Sequence, residues 1–598
     1  MKAIWKWVIS IIVLIIVGLV GVLWYLSHNW RPLVEEKLKE VVKSSTDSLY
    51  RLTYDDLDLS VALGNVTLEN VALIPDSTVY KQMEQAKTAP DNLYRIQLKS
   101  LKIKRFGIID ILTNRKLNIK SINFESPDIQ LTHKYHAYND TLPDKPRKSL
   151  YESFKDVLTS VNVRDIQIDN IAFKYTKVEA GKSSDLALDS IQVRVHDVLI
   201  DETSLADTSR FYYTKLVEII IPSFTYKFSD GFYMAKFDEL KINTREQNIL
   251  LTNVDYKPVM DRTTYFKKRG KNVTMTTLHF DTLRVEKLNF QRLLDNQQTL
   301  AERVQVKNGY VKLFGDKRYP KTPVNQIGQA PHQKLLRAKS LIKLDTVLVE
   351  GIDVVYGEMS GKYHREGAIT FNKAAGILTN VTNDSIALVK NRYMKADLGA
   401  KIMDSGNLRA KFSFDMLSDN GAHSYSGSVG PMQARLFNKV LHPLLNVEIA
   451  SGNIRSVRFH IEGTDYRSRG DFRFDYNNLK IDLLDEQGQK KPKRVVSFLV
   501  NQLIINDSNP DANEIYHVGK VNHKRVPEHT FFKNLWESLL DGIKQTAGIS
   551  KEREARLMGT AEKAKSALED TQGAVKKTKG FFKKLFKKDK EGQDASEQ

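Results

Sequence analysis

Two short runs carry the residue types of a serine acyl-transfer site. Ser340-Leu-Ile-Lys343 fits S-x-x-K, in which a lysine amine activates a serine hydroxyl, and Ser418-Asp419-Asn420 fits the S-D-N element that accompanies it. Ser340, however, opens a strand-like run rather than a helix, and the third element, Lys-Thr-Gly, is missing. His133 and His136 flank Lys134-Tyr135 just past a strand, with no carboxylate at metal-binding spacing. Asp55-Asp56 is a carboxylate pair of the kind that solvates a turn. G-x-S-x-G, H-E-x-x-H and phosphate-loop patterns are absent from the chain. These residues give no reason to expect catalysis, a metal or a cofactor.

A different chemistry sits near the end of the 598 residues, in KGFFKKLFKKDK (579–590). On a helix, Phe581, Phe582, Leu585 and Phe586 share one arc, and Lys583, Lys584, Lys587 and Lys588 share the opposite one. Such a split favours an anionic lipid surface, the alternative being a solvated basic tail. Residues 576–590 hold eight lysines against one aspartate, part of a formal net charge of +19. The basic balance would also suit nucleic acid, but no recognition module for it is present. The chain has no cysteine, which excludes disulfides and thiolate metal sites.

At the other end, VISIIVLIIVGLVGVLWYL (8–26) contains no charge. As a helix it is about 28 Å long, enough to cross a bilayer's hydrocarbon. Trp5, Trp7, Trp24 and Tyr25 flank it where interfacial aromatics belong. The run exceeds a signal-peptide core and lacks a small-residue cleavage pair, so it reads as an uncleaved anchor. Lys2 and Lys6 balance Arg31, Lys37, Lys39 and Lys43, so charge does not orient it.

Behind the anchor, 33–49 reads as a short amphipathic stem. From 52 to about 505 the period becomes two. Leu57, Leu59, Val61 and Leu63 alternate with polar residues up to Gly64-Asn65, and Leu101/Ile103, Ile122/Phe124 and Ile129/Leu131 repeat the pattern. The chain then repeats itself. Residues 100–131 align without a gap on 282–313, pairing Leu101 with Leu283, Ile103 with Val285, Ile122 with Val304 and Phe124 with Val306. A flanking block sets Asn65 on Asn248, Asn70 on Asn253 and Pro75 on Pro258; another sets Ile166 on Val347. Three ordered blocks at nearly one spacing argue for a duplicated module of about 180 residues. A third β region follows, without a match to the first two.

Each repeat shows one helical turn, at Ile111-Leu112 and Leu293-Leu294, too little helix to cover so much sheet. The sheets must close as sandwiches or barrels, or curl into a trough whose lining something else fills; acyl chains would serve. Near the end, Phe532, Leu535, Trp536, Leu539, Leu540, Ile543 and Ala547 form an apolar stripe at helical spacing. This suits a helix packed on the last sheet edge, or one lying on a membrane.

This order of features resembles the AsmA-like family of Gram-negative envelope proteins. The resemblance rests on the anchor, on the strand pair at 57–73, on RFGIIDILTNRKLNIKSINFESPDIQL, and on HPLLNVEIASGNIRSVRFHIEG with FRFDYNNLKIDLL. It implies a single-pass inner-membrane protein with its bulk in the periplasm and a β-groove related to bridge-like lipid transfer proteins. The implied role is movement of phospholipid between the membranes or outer-membrane homeostasis. The Lys/Phe tail is a departure from the family pattern.

The expected fold is mainly β: one transmembrane helix, an elongated curled antiparallel groove of duplicated modules, and C-terminal amphipathic helices. The expected divisions are a cytoplasmic end (1–7), the span (8–27), a stem (28–50), modules at 51–235 and 236–400, a β region (401–527), a helical cap and spacer (528–570) and the tail (571–598). Groove candidates are Leu57, Leu59, Leu101, Ile103, Ile122, Phe124, Ile129, Leu131, Val285, Val304, Val306 and Val311. Expected partners are phospholipid or another acyl lipid, membranes at both ends and envelope proteins, without nucleic acid. The competing function is a non-enzymatic scaffold for outer-membrane protein assembly.

Overall fold

A computed structural model describes residues 39–547, apart from 41, 44–45, 61–62, 141–149, 180–181 and 485–505. The expected span with Trp5, Trp7, Trp24 and Tyr25 therefore lies outside the described residues. So does the tail with Phe581, Phe582, Lys583, Lys584, Leu585, Phe586, Lys587 and Lys588. Of the stem, 39–40 and 42–43 are helical. Among the described residues no helix is long and apolar enough to cross a membrane.

The described chain is mainly β, with 24 strands in one sheet. It opens with β1 (Tyr50–Thr53), β2 (Asp56–Ser60), β3 (Asn65–Pro75), helix α1 (Ser77–Gln85), β4 (Asn92–Phe106) and helix α2 (Ile108–Asn114). Then come β5 (Lys116–Glu125), β6 (Asp128–Lys134), β7 (Ser160–Glu179), β8 (Lys182–Ile200) and β9 (Leu216–Ile221). Next are β10 (Phe224–Lys227), β11 (Tyr233–Phe237), β12 (Glu239–Asn243), β13 (Asn248–Pro258), α3 (Arg262–Arg269), β14 (Met275–Glu286) and α4 (Phe290–Asn296). They lead to β15 (Thr299–Asp316), α5 (Pro331–Leu336), β16 (Ile342–Met359) and β17 (Glu366–Thr382). The last part holds α6 (Ser385–Lys390), β18 (Tyr393–Ile402), β19 (Gly406–Asp415), β20 (His423–Val429), β21 (Met432–Gln433) and α7 (Asn438–Leu445). It closes with β22 (Val447–Gly463), β23 (Arg467–Leu483), β24 (Val518–Lys524) and α8 (Phe531–Thr546). Two compact units emerge. One is Met1–Val259 with His279–Val306 and Ser340–Leu344; the other is Met260–Leu278, Lys307–Lys339 and Asp345–Gln598.

The two stretches that align in sequence fold alike in detail. Strands β1 and β2 pair with β3 as Tyr50↔Pro75 and Asp56↔Glu69. Strands β11 and β12 pair with β13 as Tyr233↔Pro258 and Glu239↔Thr252, each position 183 residues on. Both long strands kink at an asparagine of positive φ, Asn70 (51°) and Asn253 (48°). Asn70 donates to Asp55 Oδ2 (2.8 Å) and Asn253 to Asp238 Oδ2 (2.9 Å). The kink shifts the alternation by one, so Val66 and Leu68 before it share a face with Val71 and Leu73 after it. Helices α2 and α4 also correspond, ending in left-handed caps at Arg115 and Gln297.

Two features depart from expectation. Each stretch has a second helix, α1 or α3, which its polar sequence hid; each starts on an aspartate, Asp76 or Asp261, whose side chain accepts from the first turn's N–H groups. The sheet is not wholly antiparallel, since β5 and β6 both pair with β7 in parallel. Parallel neighbours require a crossover, here between β6 and β7. The crossover delivers Phe154 and Leu158, 2% and 1% exposed, into the core. As the first of the two readings of the C-terminal stripe expected, α8 packs on the last sheet: it buries Phe531, Asn534, Ser538, Gly542 and Thr546, with Leu535, Leu539 and Ile543 beside them on the β22–β24 core. Phe532 and Trp536 remain exposed, so the apolar stripe is divided between sheet and solvent.

The contact of α8 with the sheet is close enough to be tested. A Cβ on Gly542 would lie 2.5 Å from Phe472 Cβ, and one on Gly519 would lie 2.5 Å from Gly542 O. Gly542→Val should cost about 1–3 kcal/mol of local packing and speed hydrogen exchange throughout α8, whereas Trp536→Ala should leave that exchange unchanged.

The same unit buries His332 on α5. The residue is 1% exposed, neither ring nitrogen has a hydrogen-bond partner, and the ring stacks on Phe414 at 4.9 Å. Burial, assisted by His423, pushes its pKa down from 6.5 to about 4. The folded ring stays neutral while the unfolded chain takes up a proton, so stability falls as pH drops from 6.5 towards 4. Thermal unfolding of His332→Phe should show less of this acid loss than the unaltered chain, by an amount on the order of 2 kcal/mol.

Candidate functional site

Strand registers in the first unit place one apolar residue opposite another across nine strands. The row runs Leu57, Leu68, Leu101, Phe124, Ile168, Val193, Ile219, Ile242, Ile249. At about 4.8 Å per strand it measures roughly 38 Å. A second row, Leu59, Val66, Ile103, Ile122, Ile166, Val195, Val217, lies beside it on the same face. The opposite face carries Lys102, Asn123, Gln167, Arg194, Glu218 and Asn243 in register, and Asn243 Nδ2 donates to Glu218 Oε1 at 2.9 Å. Alternation in sequence has become a sheet that is aliphatic on one side and hydrogen-bonding on the other.

The two aligned stretches differ in what covers that aliphatic face. In the first, Leu57, Leu59, Val66, Leu68, Val71, Leu73, Leu101, Ile103, Ile122 and Leu131 are all at most 8% exposed. They pack with Val42 and Leu49 from the segment before β1 and with Phe154 and Leu158 from the crossover. The residues at the same places in the second stretch are Leu240, Ile242, Ile249, Leu251, Val254, Tyr256, Leu283, Val285, Val304 and Leu313. Every one of them is only partly buried. The connection matching the crossover contains α5, and Ala330, Leu335 and Leu336 there join Leu388, Met394, Phe414 and Phe531 in a separate cluster. Where the first stretch is helical at 39–40 and 42–43, the second has strand β10.

Groove candidates Leu57, Leu59, Leu101, Ile103, Ile122 and Leu131 thus sit in a packed core, with Phe124 and Ile129 against it. Val285, Val304, Val306 and Val311 lie in the partly exposed part. Sequence reasoning missed an aromatic wall around β10, β11 and β13. Phe224 stacks on Phe237 (5.0 Å) and Tyr233 on Tyr256 (4.7 Å), while Phe228 meets Tyr256 edge-on. Its signal was FTYKF at 224–228, already alternating.

The residues first suspected of chemistry have structural employment. Ser418 Oγ donates to Asn420 and accepts from the Ala422 N–H, closing a turn. His133 binds Asn92. His136 gains carboxylate neighbours that sequence spacing did not show, Glu84 at 3.1 Å and Asp91 at 3.2 Å. No group of three or more metal-ligating side chains occurs among the described residues. No family model matches this chain, and neither does any curated protein.

Burial separates the two faces energetically. Leu68→Ala, at 1% exposure, should lower stability by about 2–5 kcal/mol, and Leu251→Ala, its partly exposed counterpart, by under about 1.5 kcal/mol. Urea unfolding of the two variants side by side makes the comparison.

Proposed function

We propose that the chain is a non-enzymatic lipid-binding protein, built on two copies of one β module, that holds acyl chains along the open apolar face of the second copy. The observation that carries this is the contrast between matching residues: ten apolar positions closed over in the first stretch are left partly exposed in the second. An aliphatic face in water is costly, and each methylene laid against it and removed from water gains about 0.8 kcal/mol. The lining residues from Leu240 to Val304 are aliphatic, apart from Tyr256, so they recognise length and apolarity rather than a headgroup. Resemblance to the AsmA-like family supplies the setting: an anchor at 8–27 in a bacterial inner membrane and phospholipid moved towards the outer membrane. The family's β-groove, elongated and curled, is the finer architecture this proposal adopts.

Position-specific photo-crosslinking tests the proposal. A benzophenone side chain placed at Leu251, Val285 or Val304 of the full-length chain should yield phospholipid adducts by mass spectrometry. One at Lys241, on the polar face, should not. Absence of adducts at all three apolar positions, or equal adducts at Lys241, would overturn it.

A further inference from the structure

We infer that the rim of the first unit formed by Leu63-Gly64 before β3, α2 and the 154–159 loop is a docking surface for an anionic lipid bilayer. These three connections meet at one end of the strands. Gly64 O accepts from Phe106 N at 2.8 Å, just before α2, and Arg115 at the end of α2 donates from Nε to Val157 O at 3.0 Å. Each connection presents one large apolar side chain to solvent: Leu63 is 67% exposed, Ile109 76% and Val157 47%. Around them Lys104, Arg105, Arg115, Lys116 and Lys155 are all exposed. The carboxylates among them are Asp110, which accepts from Asn118 at 2.9 Å, and exposed Asp156. The next loop is of mixed charge, with Asp201, Glu202 and Asp207 beside Arg210 and Lys215.

Apolar tips ringed by cations match a bilayer whose surface is negative and whose interior accepts the tips. The second stretch serves as an internal control. At the places of Leu63, Ile109, Lys104, Arg105, Arg115 and Lys116 it has Glu246, Gln291, Glu286, Lys287, Gln297 and Gln298. Glu246, Glu286 and Lys287 there help line a polar cleft of about 260 Å³. The same fold element thus carries apolar and basic chemistry once and polar, mixed charge the other time, so the fold itself does not demand the first pattern. The inference stands on this rim alone and holds whether or not the apolar face carries lipid.

Because the chain lacks cysteine, single cysteines give clean labelling points. Ile109→Cys, Leu63→Cys and Gln291→Cys, each in the full chain and labelled with an environment-sensitive fluorophore, are reconstituted into vesicles of phosphatidylcholine with or without phosphatidylglycerol. With phosphatidylglycerol present, emission at positions 63 and 109 should shift to the blue and lose quenching by iodide, while position 291 stays quenched. Replacing Lys104, Arg105 and Lys116 by Glu should abolish the shift at 109. Equal iodide quenching at 63, 109 and 291 in both vesicles would overturn the inference. So would a shift at 109 that survives the triple charge reversal, which would point to a contact not made through lipid charge.

Discussion

A sheet with one aliphatic face has to put that face against something, and most of this structure follows from how the need is met. The helices are too short and too few for the task, and they sit mainly at strand ends as connections. They give part of the cover, through Val79, Tyr80 and Met83 of α1 and Ile111 of α2, and the segments between strands give the rest. In the first stretch the crossover imposed by parallel pairing of β5 and β6 with β7 brings Phe154 and Leu158 down onto the sheet, and Val42 and Leu49 close it from the amino-terminal side. The result is an ordinary core. Its largest fully buried residues include Leu57, Leu68, Ile122 and Leu131.

In the second stretch the same strands, kinks and caps recur with the covering parts changed. Strand β10 stands where the first stretch has helix, and the connection after β15 joins Leu388, Met394 and Phe414 in another cluster. Sheet hydrogen bonding does not depend on the cover, because the ladder satisfies the backbone whatever lies on the face. The recurring sheet therefore keeps its fold with a smaller cover, Leu288, Phe290 and Ala301 against Ile242, Ile249 and Val285. The aliphatic face that remains is what an acyl chain needs, and it carries no competing polar recognition.

The sequence showed part of this and hid the rest for identifiable reasons. Alternation at Leu57/Leu59 and Leu101/Ile103 marked the strands. The repeated Asn65, Asn70 and Pro75 at 248, 253 and 258 marked the registers and the kink that both stretches share. Helices α1 and α3 escaped because each is short and carries only Val79, Tyr80 and Met83, or Tyr265 and Phe266, as its apolar face; an aspartate cap is their main local cue. Parallel pairing escaped because alternation names a strand's face and not its neighbour. The difference between covered and open faces was invisible, since Leu57 and Leu240, or Leu68 and Leu251, are the same residue type in the same place. What distinguishes them is what packs on the face, Val42, Leu49, Phe154 and Leu158 in the first stretch, and that is a tertiary fact. The division of α8 into a sheet-facing side, from Phe531 to Thr546, and an exposed Phe532/Trp536 side was likewise masked by a continuous apolar stripe.

The central claim is that matching leucines of the two stretches differ in access to what lies outside the protein. The direct measurement is the rate at which a water-soluble maleimide modifies Leu68→Cys and Leu251→Cys in the otherwise cysteine-free full-length chain, with and without added phospholipid. The account predicts fast modification at 251, slowed when phospholipid is present, and slow modification at 68 under both conditions. Equal rates at the two positions, or a rate at 251 indifferent to phospholipid, would contradict it.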